Sequence, residues 1–260
     1  MGKRCLIAVI LALTAGFFCL TGFSEAQDIG EQMARADALY PQRANLEKAR
    51  TSILIYEEVL KQDPENLEAL WKAARILYWL GDHSPKEEKA AIFEKGIEYA
   101  KRGVALDDNC VPCHYWLGIN YSVYGEAKGI IKSINLLAPI KAEMNKVIEL
   151  DPGHDQGGAY RILGRIAFKL PRIFGGSKKE SVEYLKKSQA ISPHNIMTHV
   201  FLAETYLGMK EKELAKKELE AVLSMPDPRD PGELEDKETA RRLYQKHFQK
   251  SSGENETFGP

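Results

Sequence analysis

Leu60-Lys61-Gln62-Asp63-Pro64 ends a run of helical periodicity with an apolar residue, a polar pair and a turn. The same punctuation recurs at Leu106-Asp107-Asp108, Leu150-Asp151-Pro152, Ile191-Ser192-Pro193 and Leu223-Ser224-Met225-Pro226. The turn residues stand at 64, 108, 152, 193 and 226, so the intervals are 44, 44, 41 and 33 residues. Recurrence on this scale marks a chain that stacks one supersecondary unit on the next, because a unit of that size cannot hide its apolar face alone.

Within each interval the apolar residues fall three and four apart, the period of a helix and not of a strand. Leu70, Ala73, Ala74, Leu77 and Tyr78 make one face, and Ala90, Phe93, Ile97, Ala100 and Val104 make a second. The last interval repeats the pair with Val200, Ala203, Tyr206 and Leu207, then Leu214, Ala215, Leu219, Val222 and Leu223. No alternation long enough for a strand appears. The expected fold is all-α, a tetratricopeptide-like right-handed solenoid of antiparallel helix pairs, since the shortest interval is close to the roughly 34 residues of that unit. Asp63-Pro64, Asp151-Pro152, Ser192-Pro193 and Asp230-Pro231 suggest helix starts, each with an acceptor at the cap and proline just inside. Ser84-Pro85-Lys86-Glu87, Ser177-Lys178-Lys179-Glu180 and Asp230-Pro231-Gly232-Glu233 add a glutamate placed to return a bond to the cap.

The ends differ from this middle. Lys3 and Arg4 precede an apolar run from Cys5 to Leu20, followed by Ser24-Glu25-Ala26. That is the pattern of a signal peptide, with cleavage expected after Ala26 and an uncleaved anchor as the alternative. Phe17 and Phe18 before Cys19 argue against lipid attachment. The expected organisation is a signal peptide over 1–26, a helical repeat domain over 27–248 and a disordered tail over 249–260, in a periplasmic or secreted chain. Without 1–26 the chain keeps 34 basic and 36 acidic side chains. No basic stripe interleaved with aromatics appears, so nucleic acid is not an expected partner.

His114-Tyr115-Trp116-Leu117-Gly118-Ile119-Asn120 leads into Gly125-Glu126-Ala127-Lys128-Gly129. Gly157-Gly158-Ala159-Tyr160-Arg161-Ile162-Leu163-Gly164-Arg165 leads into Leu170-Pro171 and Phe174-Gly175-Gly176-Ser177. Over roughly residues 50 to 245 the chain resembles the T-component (TatT) family of tripartite ATP-independent periplasmic (TRAP) transporters. The resemblance implies a periplasmic helical scaffold that meets a solute-binding protein, with a homo-oligomer as one option, and has an apolar channel or groove for a small ligand. The same repeat pattern is shared more distantly with a microtubule-associated family, against which the export signal argues.

Trp71, Tyr78, Tyr115, Trp116, Tyr121 and Tyr206 fall on the first helices of successive units, and are candidates to line a concave surface for a protein or a small apolar ligand. Aromatics at helical spacing also serve as core. Arg161 and Arg165 are four apart and share a face, where they can meet an anionic ligand or partner, or form a structural ion pair. Gly157-Gly158 and Gly175-Gly176 are candidate turns. Cys110-Val111-Pro112-Cys113-His114 matches the attachment pattern of c-type haem, with two thiols for thioethers and a histidine for the iron. A disulfide between Cys110 and Cys113 and a redox dithiol are the other readings. No phosphate loop, nucleophile elbow or zinc-protease helix occurs, and no catalytic residue or metal ligand is nominated. The expected function is a binding scaffold and not an enzyme. The rivals are a haem or thiol redox protein and a cell-envelope assembly factor.

Overall fold

The computed structural model describes residues 28–249. The signal segment and cleavage point expected within 1–26, and residues 250–260 of the tail, lie outside the described residues. Five helix pairs follow one another: α1 (28–39) with α2 (Leu46–Gln62), α3 (Leu67–Asp82) with α4 (Lys86–Leu106), α5 (Val111–Lys128) with α6 (Ile130–Leu150), α7 (His154–Lys169) with α8 (Lys178–Ile191), and α9 (Ile196–Met209) with α10 (Lys212–Ser224). A single helix α11 (Pro231–Phe248) ends the series, and no strand occurs among the described residues. This is the tetratricopeptide-like solenoid of antiparallel pairs. The first helices α3, α5, α7 and α9 pack side by side as an inner layer, with their partners outside.

The recurring turn works differently from the cap expected of it. Asp63, Asp151 and Ser192 close the preceding helix: their amides donate to Val59, Val147 and Ser188 carbonyls at 2.8, 2.8 and 3.0 Å. The following proline has no N–H to continue that ladder, so the chain turns. In two of these turns the cap comes three residues later: Asn66 Oδ1 accepts from Ala69 N at 3.0 Å and Asn195 Oδ1 from Thr198 N at 2.9 Å. Cys110 holds the matching position and its Sγ accepts from Cys113 N at 3.3 Å. Asp230 and Ser177 do cap α11 and α8. Ser84 does not cap; its hydroxyl donates back to Leu80 O at 2.7 Å.

The apolar faces meet as expected. Leu70, Ala73, Ala74, Phe93, Ala100, Leu202, Leu219 and Val222 are essentially removed from solvent. Leu214 is the exception at 45% exposed, in the first turn of α10. A second device repeats between inner and outer helices. His114 of α5 pairs through Nδ1 with Glu143 of α6 at 2.6 Å, and its Nε2 meets the Asp108 carbonyl at 3.0 Å. His199 of α9 pairs with Glu218 of α10 at 2.6 Å and meets the Pro193 carbonyl at 2.8 Å. These buried clips tie each hairpin to the turn that opens it.

The stack also closes on itself. Asp230, at the start of α11, takes the Arg43 guanidinium at 2.6 Å, and Glu235 meets His83 Nε2 at 2.9 Å. Residues 43 and 230 are 187 positions apart. Arg43 is itself buried, over the rings of Tyr40 and Trp79 at 4.4 and 4.5 Å.

The His199–Glu218 clip makes stability depend on pH. Burial works against the His199 charge, but the Glu218 hydrogen bond and the Pro193 carbonyl outweigh it and hold the imidazole above its ordinary value near 6.5. Burial likewise raises Glu218, but His199 and Lys186 outweigh it and hold the carboxyl below its ordinary value near 4.5. The histidine's contribution is complete below about 6.5 and fades as pH rises through its folded value; the glutamate's is complete above about 4.5 and fades as pH falls through its own. Glu218→Gln should therefore cost most, about 3 kcal/mol, at pH between about 4.5 and 6.5, and less under alkaline conditions. Urea unfolding at mildly acidic and at alkaline pH measures this; an equal loss at both would contradict it.

Candidate functional site

The concave side of the inner layer, closed by α11, encloses a cavity of about 1050 Å³. Four of the aromatic residues singled out in the sequence meet there: Trp71 and Tyr78 from α3, and Tyr115 and Trp116 from α5. Tyr78 and Trp116 pack ring to ring at 5.8 Å, and Tyr115 meets Trp116 edge-on at 5.3 Å. Tyr121 and Tyr206 are not cavity residues. Tyr121 packs beside the core with Lys101 over its ring at 5.5 Å, and Tyr206 is buried with Leu185, Leu202 and Ala215. The aromatic signal is the same for both fates, because helical spacing does not say which side of an inner helix faces the hollow.

Arg161 and Arg165 both line the cavity, yet each already holds a carboxylate. Arg165 pairs with Glu204. Arg161 is buried and clamps an unusual turn: Asp155, Gln156 and Gly157 stand in the left-handed region with φ of 47, 58 and 78°. Each non-glycine residue there costs about 1 to 2 kcal/mol. Arg161 offsets this by donating to the Gln156 and Asp155 carbonyls at 2.9 and 2.8 Å and to Asp155 Oδ2 at 2.5 Å. Tyr115 donates to the same carboxylate at 2.5 Å. Gly158 has no side chain because a methyl group there would run into the Tyr115 hydroxyl. The glycine pair expected as a simple turn thus shapes one cavity wall.

Arg75 was not among the sequence candidates. It lies between Trp71 and Tyr78 on one face of α3, with its guanidinium 3.6 Å from the Tyr40 ring centroid and 5.0 Å from that of Trp71. Among the described residues it makes no ion pair, and its buried Nε has no hydrogen-bond partner. The spacing Trp71, Arg75, Tyr78 at i, i+4 and i+7 was the available signal. Across the hollow, α11 presents acids. Burial pushes Asp236 up to about 7, with Arg161 opposing and Glu235, Glu233 and Asp230 adding to the rise. Burial raises the Tyr78 hydroxyl as well, and Asp82 and Asp236 reinforce it.

The Cys-x-x-Cys-His stretch lies at the start of α5. Cys110 and Cys113 are joined as a disulfide with Cα atoms 5.3 Å apart, and both are buried. His114 is buried with both ring nitrogens engaged. Haem c needs two sulfurs free to form thioethers and a histidine nitrogen free for iron. These residues do not fit it, and neither sulfur is presented to solvent as thiol exchange requires. No cluster of three or more metal-ligating side chains occurs among the described residues.

The sequence profile described as regulator of microtubule dynamics protein 1-3 matches residues 32–173, more than half of the chain. The chain belongs to this family. Regulator of microtubule dynamics protein 1 of Mus musculus is 28% identical over 203 residues, which cover 72% of this chain and 65% of the relative. The Bos taurus protein is 28% identical over 204 residues, covering 72% and 62%. The chain thus matches less than two thirds of the length of these relatives. Among solved structures, a thermophilic TPR protein of Thermus thermophilus aligns with a TM-score of 0.62 at 18% identity, over 83% of this chain and 98% of that one. The type IV pilus biogenesis factor PilW aligns with a TM-score of 0.56 at 17% identity, over 87% and 96%. At that identity both speak for the fold alone. The relatives overturn the expectation of a periplasmic or secreted chain: they are microtubule regulators of mouse and cattle. The family shown is theirs and not that of the transporter T component, so the more distant connection is the one that holds.

Asp236 yields a prediction. Its folded value lies above its ordinary 3.8, so deprotonation on raising the pH costs stability, and that loss is complete above about 7. Asp236→Asn should raise the unfolding midpoint in alkaline buffer and leave it nearly unchanged at pH well below the carboxylate range. Thermal unfolding at the two extremes checks this, and an equal shift at both would refute the burial of that carboxyl.

Proposed function

We propose that the chain is a non-catalytic binding scaffold whose concave cavity receives a segment of a partner protein. One observation carries the proposal: Arg75, a guanidinium with no carboxylate partner among the described residues, stands among Tyr40, Trp71 and Tyr78 in the cavity's wall. An arginine held flat against aromatic rings keeps its outer N–H groups in the plane where a carboxylate accepts them in pairs. The neighbouring aromatics supply apolar surface at low conformational cost. The cavity is at the upper end of the roughly 300–1,000 Å³ typical of small-ligand sites, and its walls carry both signs of charge. An apolar small molecule would leave the Arg75 guanidinium without a partner, whereas a peptide segment can bring a carboxylate to it. The relatives are named for regulating microtubule dynamics, and from that name we carry over only regulation by binding.

Selection of displayed random peptides on the protein tests the proposal. Enriched sequences should carry an acidic residue near an aromatic or aliphatic one. Trp71→Ala and Arg75→Glu should each weaken their binding by at least about tenfold while circular dichroism stays unchanged. Enrichment of nothing, or of peptides indifferent to both substitutions, would overturn it. A small apolar probe that binds the cavity more tightly than any peptide would favour the ligand reading instead.

A further inference from the structure

The two edges of the solenoid differ in charge and in exposed apolar surface. The antiparallel pairs place every turn within a pair on one edge and every turn between pairs on the other. The edge between pairs is acidic, with Asp63, Glu65, Asp107, Asp108, Asp151 and Asp227 in its turns. The within-pair edge from α5 to α10 is basic: Lys128, Lys132, Arg172, Lys178, Lys179 and Lys210 are all exposed there, against Glu126 at its near end and Glu211 and Glu213 at its far end.

Large apolar side chains stand out of the same basic edge. Ile130 and Ile131, at the start of α6, are 57% and 76% exposed, and Ile173 and Phe174, in the turn after α7, are 84% and 41% exposed. Ile130 shares the cavity rim with Leu170 and Pro171 of the neighbouring turn, and Lys178 donates to the Gly208 carbonyl of the next. The three turns therefore form one continuous rim. Single exposed apolar residues need no explanation, but a row of them set among lysines is costly in water unless something covers it.

We propose that this edge docks on the surface of an anionic lipid bilayer, with Ile131, Ile173 and Phe174 entering the headgroup region and the flanking lysines and arginine meeting lipid phosphates. Charge complementarity decides the occupant. Basic side chains on flexible stems reach headgroups while their carbons cover the apolar boundary, and an anionic surface attracts each with an effect of about fivefold in binding. The contact is peripheral, since no helix among the described residues is long and apolar enough to cross a membrane. It does not depend on what the cavity binds.

The full chain should float with vesicles of equal parts phosphatidylcholine and phosphatidylserine far better than with phosphatidylcholine alone, and salt should weaken it. The apolar run at 5–20 can itself enter lipid, so the decisive readout is local. Amides at the start of α6 lack helical partners and exchange quickly when exposed. Hydrogen exchange over 130–132 and 172–179 should slow on the anionic vesicles. Ile131→Asp with Ile173→Asp, or Arg172→Glu with Lys179→Glu, should abolish that slowing and cut vesicle binding by about tenfold or more. Absence of anionic-vesicle binding, or binding with exchange in both turns unchanged, would overturn the proposal and point to a protein on this edge.

Discussion

A helix hairpin with one apolar stripe can bury it only against another hairpin, and that constraint governs this molecule. The pair partner α4 covers only part of the apolar surface of α3 around Leu70, Ala73 and Ala74; α2 and α5 of the neighbouring pairs cover the rest. Repeating the solution five times lays α3, α5, α7 and α9 side by side, and the hollow on their inner side follows from that layering. Nothing in such a stack requires its ends to meet. Here they do, because Arg43, already buried over Tyr40 and Trp79, needs a counter-charge, and Asp230 brings α11 across the opening to provide it. The closure turns an open concave face into a cavity.

Charge inside that cavity is mostly spent on structure. Arg43, Arg161 and Arg165 each face a carboxylate, and Arg161 additionally holds a left-handed turn that would otherwise relax. Arg75 stands apart from them. Among the described residues it is held by rings instead of by an acid, which leaves its charge available to whatever enters. Outside, the acidic between-pair edge and the basic, isoleucine-studded within-pair edge give the solenoid two unlike rims. The interior and the rim can thus serve different partners at once.

The repeat was legible because turn chemistry is local: a helix closed by Asp63 or Ser192 and a following proline look alike wherever they occur. The caps expected at Asp63 and Ser192 were misplaced by three residues for the same reason. A proline after an acceptor suits a helix start as well as a turn, and only the partner of the Asp63 amide, Val59 O, separates the two. Trp71, Tyr78, Tyr115 and Trp116 were legible as aromatics of first helices. Tyr121 and Tyr206 carry the same pattern and face elsewhere, which depends on how each helix rotates against its neighbours. Arg75 was not singled out, because its lack of an acid among the described residues is a tertiary fact. The Arg43–Asp230 contact, 187 residues apart, had no local signature at all.

All three tryptophans of the chain, Trp71, Trp79 and Trp116, line the cavity. Their fluorescence therefore reports on its occupation without any label. Adding a peptide selected on the protein should shift the emission to shorter wavelength and shield it from acrylamide quenching. A peptide whose binding is established by calorimetry, yet which leaves both emission and quenching unchanged, would place recognition elsewhere and contradict the account.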